Sequence, residues 1–277
     1  MATSSTVARP TVAQLRHKSE KPMLTLCVIL TIVGVIIAVS AAATGNEPPA
    51  WASVAIIGLT APVLLGAFFI RFHFWSTIAN GVEITSEQLP DVYKIYTDLA
   101  REMGMEEIPR LYLVNGHGAL NAFASKCQIR RTYVVIYSDL LDVAYEFDDF
   151  ETIKFVLAHE LGHIKCGHVN LWRLGVRAVP SALFLGQTMT RAQEYSADRV
   201  ASYYAPKGAE GLMVLFAGKR MYRRTNMAAY RTSVANHRGG FWLRVVNFFA
   251  DHAVGFRRME ALSRIETEGW DVHGKIL

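Results

Sequence analysis

Two apolar runs lie in tandem near the N-terminus, and they constrain the fold more than any other feature. No charge falls between Lys21 and Glu47, and Met23 to Ala43 is almost wholly apolar. A second charge-free stretch separates Glu47 from Arg71, with its apolar part from Trp51 to Ile70. Each reaches the ~20 residues that a helix needs to cross about 30 Å of hydrocarbon. The connector, TGNEPP, is short, polar and turn-forming. The expected result is a transmembrane helical hairpin over residues 23–70, with spans at about 23–43 and 51–70.

Basic residues orient the hairpin. The arm over residues 1–22 carries Arg9, Arg16, Lys18 and Lys21; Arg71 follows the second run, and the connector has only Glu47. The excess of Lys and Arg in cytoplasmic segments then places both termini in the cytoplasm. Gly58, Pro62 and Gly66 recur every four residues, a stripe expected to let the two helices pack closely. Ala41 and Ala43 resemble a signal-cleavage pattern, but the run is long for a signal segment and a second follows at once.

Composition narrows the partners. Apolar residues make up 51% of the 277, which fits a membrane part. The formal charge of +5 is mild and argues for no nucleic acid partner. Cys27, Cys127 and Cys166 form no CxxC pair, which speaks against a disulfide framework or a cysteine zinc site and for a reducing compartment.

Beyond about Asn80 the chain is ordinary in charge. Ser86 is expected to cap a helix through about Met103, with Gly104 as its stop and Leu89, Val92, Tyr93, Tyr96 and Leu99 as a core-facing stripe. Strands are expected at Arg110 to Val114 and Thr132 to Tyr137. A helix should run from Asp148 or Asp149 to about Gly167, with Asp148 and Glu151 as a capping box. Residues 178–190 are uncharged but only 13 long and include Pro180, too short to cross and better read as a buried or interfacial helix.

The strongest chemical signal is HELGH at 159–163. Positions i and i+4 share a helix face, so His159 and His163 can converge on one ion, and neutral imidazole suits zinc. Glu160 then points beside the metal, where its carboxylate can take a proton from a water the metal activates. A catalytic zinc takes three protein ligands. A metzincin would place Gly at 166 and His at 169; Cys166 and Val169 stand there instead. His168, five residues past His163, falls off the metal-facing stripe. The better third ligand is Glu194 in EYSAD at 194–198, with Asp198 one turn on as a hydrogen-bond acceptor for a liganding histidine.

With these motifs the chain resembles the HtpX-like zinc metallopeptidases, relatives of the CAAX prenyl proteases and the Oma-type membrane proteases, of the gluzincin HExxH…ExxxD kind. The resemblance covers roughly Leu89 to Met259. It implies an α+β fold: the hairpin, then a mainly helical zincin-like domain with a small sheet over residues 77–277. NAFAS at 121–125 is similar to the family's edge strand, which implies that Asn121, Ala122, Phe123 and Ala124 bind substrate backbone by strand addition. YVVIYSDLLD at 133–142 is similar to the strand and turn before the active-site helix. RAQEYSADRVA at 191–201 resembles the ligand helix with Glu194 and Asp198. DHAVGFRRM at 251–259 resembles a segment whose His and Arg imply His252 and Arg258 as oxyanion donors, although Ala253 stands where the family has Pro.

The expected protein is a membrane-anchored zinc metalloendopeptidase of the EC 3.4.24 type, with one Zn2+ per subunit and Glu160 as general base. Its substrates would be peptides or proteins, membrane-associated or misfolded, in a quality-control role. The expected setting is a bacterial plasma membrane, with the catalytic domain cytoplasmic. The competing reading is a membrane-tethered binding or scaffold protein with a zinc site and no peptidase activity. It is disfavoured because structural sites close with four ligands and this one offers three.

Overall fold

In the computed structural model, residues 10–43, 49–176, 178–237, 240–250 and 255–276 are described. A single turn, α1 (Val12–Leu15), precedes two long helices, α2 (Glu20–Ala42) and α3 (Ala50–Asn80). Both are long and apolar enough to cross a membrane. They turn Ile29, Ile32, Ile36, Val54, Ile57, Leu64 and Phe68 outward. Most of the α2–α3 connector falls outside the described residues.

The helix α3 outruns its expected span by ten residues. Its last turns rest on the sheet, where Phe74 meets the Tyr133 ring at 5.0 Å and His73 meets Phe123 at 5.1 Å. The Gly58–Gly66 stripe does not join α3 to α2. A side chain at Gly58 would meet nothing within 4 Å, and Gly66 faces Leu174. The stripe expectation failed because a segment far down the chain packs there instead.

The sheet has four strands in the order β1 (Val82–Glu83), β2 (Arg110–Val114), β4 (Arg131–Tyr137) and β3 (Ala122–Gln128). β2 and β4 run parallel, and β3 pairs antiparallel with β4, leaving β3 at the edge. The helix expected from Ser86 instead begins later, as α4 (Pro90–Glu102). Thr85 and Gln88 close a turn over Ser86, Leu89 swings to φ 57°, and Pro90 supplies the fixed φ that suits a first helical residue. Gly104 follows the helix at φ 65°.

After β4 the chain makes a helix where the motif suggested a turn, α5 (Ser138–Phe147). Asp148, at φ 52°, ends α5 rather than capping the next helix. Asp149 caps α6 (Phe150–Lys165) by accepting from the Thr152 backbone N–H at 3.0 Å, so no Asp148–Glu151 box forms. The uncharged 178–190 stretch is broken in two. A short α7 (Ala178–Ala182) lies against α2 and α3, and Phe184 at φ 58° turns the chain into α8 (Leu185–Tyr204). Shorter helices complete the domain: α9 (Val214–Ala217), α10 (Met227–His237), α11 (Phe241–Phe249) and α12 (Gly255–Glu268).

The main core joins α4, the sheet, α5, α6 and α8 through Val92, Tyr96, Leu111, Ile136, Leu157, Leu161 and Val200. Leu15, from the basic arm, is fully buried in that same core. The fold is therefore mostly helical with one small sheet and two apolar N-terminal helices.

Candidate metal centre

α6 is buried along most of its length, and His159 and His163 lie one turn apart on it. Their Nε2 atoms approach to 3.1 Å. α8 crosses α6 at Gly162. A Cβ there would sit 3.2 Å from Val200 Cβ and 3.4 Å from Ala197 Cα, so the missing side chain lets the helices come close. The crossing delivers Glu194, whose Oε1 lies 3.3 Å from His163 Nε2 and whose Oε2 lies 3.5 Å from His159 Nε2. These three side chains form a group able to hold a metal ion. Zinc with bonds of about 2.0–2.1 Å and tetrahedral angles spaces its ligand atoms by about 3.4 Å. The triangle of 3.1, 3.3 and 3.5 Å fits that spacing.

Asp198, one turn after Glu194, places Oδ1 2.9 Å from His159 Nδ1. The ring N–H does not point straight along that line, so the contact is an ion pair more than a directed hydrogen bond. Burial works against charge on His159, but Asp198 and Glu194 outweigh it and hold its pKa up to about 10. A divalent cation must displace that proton. Burial pushes the Asp198 carboxyl up, and the Arg258 guanidinium more than reverses this, leaving its pKa below the ordinary carboxylate value.

Arg258 lies on α12 and binds Asp198 through two nitrogens, Nε to Oδ2 at 2.8 Å and Nη2 to Oδ1 at 2.6 Å. Its Nη1 stands 3.5 Å from Glu194 Oε2. The structure thus places Arg258 against the carboxylates, at the wall of the same cleft. His252 lies outside the described residues.

The cleft measures about 410 Å³. Glu160 and the two histidines line it, together with Asn121 and, from the edge strand β3, Ala122, Phe123 and Ala124. A second cavity of about 200 Å³ shares Ala124, His168, Val169 and Gln193 with it and reaches Ile70 on α3.

Two residues near the centre were not read as site residues from sequence. His168 Nδ1 lies 2.8 Å from His163 Nδ1, and its Nε2 lies 3.0 Å from Glu20 Oε1. Burial lowers the His168 pKa to about 4 against the opposing pull of Glu20, so the ring is neutral near pH 7. One signal was present: Glu20 is the sole acid among the first 22 residues, at the doorstep of an apolar run.

Residues 86–187 match the family model for peptidase family M48. The chain is 27% identical over 171 residues to the plastoglobule-localized metallopeptidase 48 of Arabidopsis thaliana, covering 56% of this chain and 48% of that protein. It is 27% identical over 164 residues to a protease HtpX homolog of Streptococcus mutans, covering 57% and 52%. It is 31% identical over 155 residues to one from Aeropyrum pernix, covering 52% and 46%. The chain spans about half the length of these curated relatives. No solved structure matches it. The stretch matched by the family model includes the helix that carries HELGH, so this part of the chain is similar to peptidase family M48, and about half of the chain is similar to proteases named as HtpX homologs.

Proposed function

We propose that this protein is a membrane-anchored zinc metalloendopeptidase, with residues 23–70 as the anchor and residues 77–277 as the catalytic domain. The observation that carries the reading is the triangle of His159, His163 and Glu194, spaced for a tetrahedral ion and open to a cleft that Glu160 shares. One Zn2+ held there supplies Lewis-acid activation of water and of the scissile carbonyl. Glu160 accepts the proton of the attacking water and passes it to the leaving amine. Asp198 holds the His159 ring in place. The edge strand β3, at Ala122 to Ala124 with Asn121 just before it, pairs with an extended substrate backbone by strand addition. His252 and Arg258 are the oxyanion donors that the resemblance implies.

Membrane-associated or misfolded proteins are the proposed substrates, by analogy with the family the chain resembles. The smaller cavity leads from the cleft to Ile70, at the end of the second apolar run. The basic residues on both sides of the hairpin support a cytoplasmic catalytic domain.

The test compares wild type with Glu160→Gln, both in membranes. Loss of a general base costs about 10²–10⁴-fold in rate. The variant should keep its zinc and lose chelator-sensitive cleavage of casein to that extent. Cleavage at the wild-type rate overturns the assignment of the base. Zinc content with no hydrolysis of any unfolded protein by the wild type points to the scaffold reading instead.

A further inference from the structure

Behind the triangle lies a second buried cluster, built from the metal helix and the N-terminal arm. His163 turns Nε2 to the triangle and Nδ1 away from it, toward His168 Nδ1. His168 turns its own Nε2 to Glu20. The His168 side chain is 3% exposed and that of Glu20 1%. The other Glu20 oxygen accepts from Ser196 Oγ at 2.6 Å, and Arg16 pairs with the carboxylate from the preceding turn.

Chemistry fixes the direction of the hydrogen bonds. An imidazole that offers Nε2 to a cation carries its proton on Nδ1. That N–H donates to His168 Nδ1, which leaves His168 protonated on Nε2. The second N–H donates to Glu20, and a carboxylate only accepts. Every atom in the chain then has one role, and the chain ends on an anion. The opposite tautomer of His163 would turn an N–H toward His159 and Glu194, where a metal ligand needs a lone pair.

A second cation site among Glu20, Cys166 and His168 is the competing use of this cluster. Arg16 pairs with the Glu20 carboxylate and Arg173 stands 3.8 Å from it, while His168 Nδ1 is taken by His163. A cation there would meet two guanidinium groups. The cluster serves the triangle, not an ion of its own.

We propose that Glu20 and His168 are positioning residues of the metal centre, holding His163 in the tautomer and orientation that a metal requires. The proposal rests on the metallopeptidase reading above and adds the first turn of α2 to the support of its metal. The apolar helix that leads to the membrane and the metal ligand are thereby joined through one imidazole.

The experiment uses the full chain in detergent as wild type, Glu20→Gln, His168→Phe, the double variant and Ser196→Ala. Zinc affinity is read by competition with a chromogenic chelator. Ligand geometry is read from the visible absorption of the cobalt(II)-loaded protein, and folding from the melting of metal-stripped samples. Outer-shell partners of metal ligands are worth about 10–100-fold in affinity. Each single relay variant should weaken zinc binding by about that factor and shift the cobalt bands. The double variant should be no worse than the more affected single within about 2-fold, because both break one chain. Ser196→Ala removes the hydroxyl that donates to Glu20 and accepts from the His17 N–H but leaves the His163–His168–Glu20 chain intact, so it should weaken zinc binding less than either single relay variant.

A purely structural role would lower the melting of stripped protein and leave the affinity and cobalt spectrum of the folded fraction unchanged. That result overturns the proposal. If Glu20→Gln does not fold, His168→Phe decides alone. Wild type that binds no zinc overturns the metallopeptidase reading itself. Wild type that binds zinc, with variants that bind it equally well, overturns only the positioning roles.

Discussion

Replacing Arg258 with Met separates support of the site from chemistry in it. Arg258 grips both oxygens of Asp198 and stands near Glu194, and none of the three side chains is more than 8% exposed. Glu194 and Asp198 carry two negative charges, which Arg258 and the protonated His159 offset in metal-stripped protein. Arg258→Met leaves one of them uncompensated in a buried place. Removing one partner of a buried ion pair costs about 3–5 kcal/mol. For a domain of this size each kcal/mol moves the melting temperature by about 2–4 °C, so metal-stripped Arg258→Met should melt about 6–20 °C below wild type. A bound divalent cation restores neutrality to the pair of carboxylates, so the deficit should shrink in zinc-loaded protein. The assay is intrinsic-fluorescence melting in detergent, with and without zinc, beside casein hydrolysis. If stripped variant and wild type melt within about 2 °C while hydrolysis is lost, the counter-charge argument fails. Arg258 would then act on the reaction alone.

Two further outcomes follow from the packing of α6. Gly162→Val adds a branched side chain where even one Cβ is 3.2 Å from Val200, and overpacking costs about 1–3 kcal/mol. It should move α8 away and weaken zinc binding far more than Gly162→Ala does; equal affinity in all three, by chelator competition, contradicts this. Asp149→Ala removes the α6 cap and should cost about 0.5–2 kcal/mol. Burial raises the Asp149 pKa, but Tyr222 and Thr152 more than offset this and lower it, so its contribution is present above the ordinary carboxylate range and lost as pH falls through the folded value. The melting difference between Asp149→Ala and wild type should vanish in acid; a difference that persists unchanged there rules out the charged cap.

What could be read from the sequence was what rests on local spacing. His159 and His163 face one way because four residues make about one turn, and the same rule pairs Glu194 with Asp198. The strands at 110–114 and 131–137 announced themselves through β-branched and aromatic residues. The start of α4 was misread because Ser86 is a good cap in isolation, whereas Leu89 and Pro90 set the true start. The 138–147 helix was missed since it abuts a strand with no linker. The contacts of Glu20 were out of reach for a different reason. They join residues 148 and 176 positions apart, and no periodicity encodes such a pairing.

The helix α8 explains why so much of the site depends on long-range contacts. From Arg191 to Ala201 every residue is buried, so each face must be covered by another part of the chain. One face gives Glu194 and Asp198 to the metal centre, and Ala197 and Val200 pack on Gly162. A second face gives Ser196 to Glu20. A third carries Arg191, Tyr195 and Arg199, spaced four apart. Arg191 donates to Ile276 and Ala250, Tyr195 donates to Lys275, and Arg199 donates to Leu15, Trp270 and Val272. Buried guanidinium groups are costly unless their donors are met, and these backbone carbonyls meet them. The position of Glu194 is therefore fixed by segments near both ends of the described chain as well as by α6. A disturbance of the N-terminal arm reaches the metal ligands along two routes: through Arg199 and the backbone of α8 to Glu194, and through Glu20 and His168 to His163.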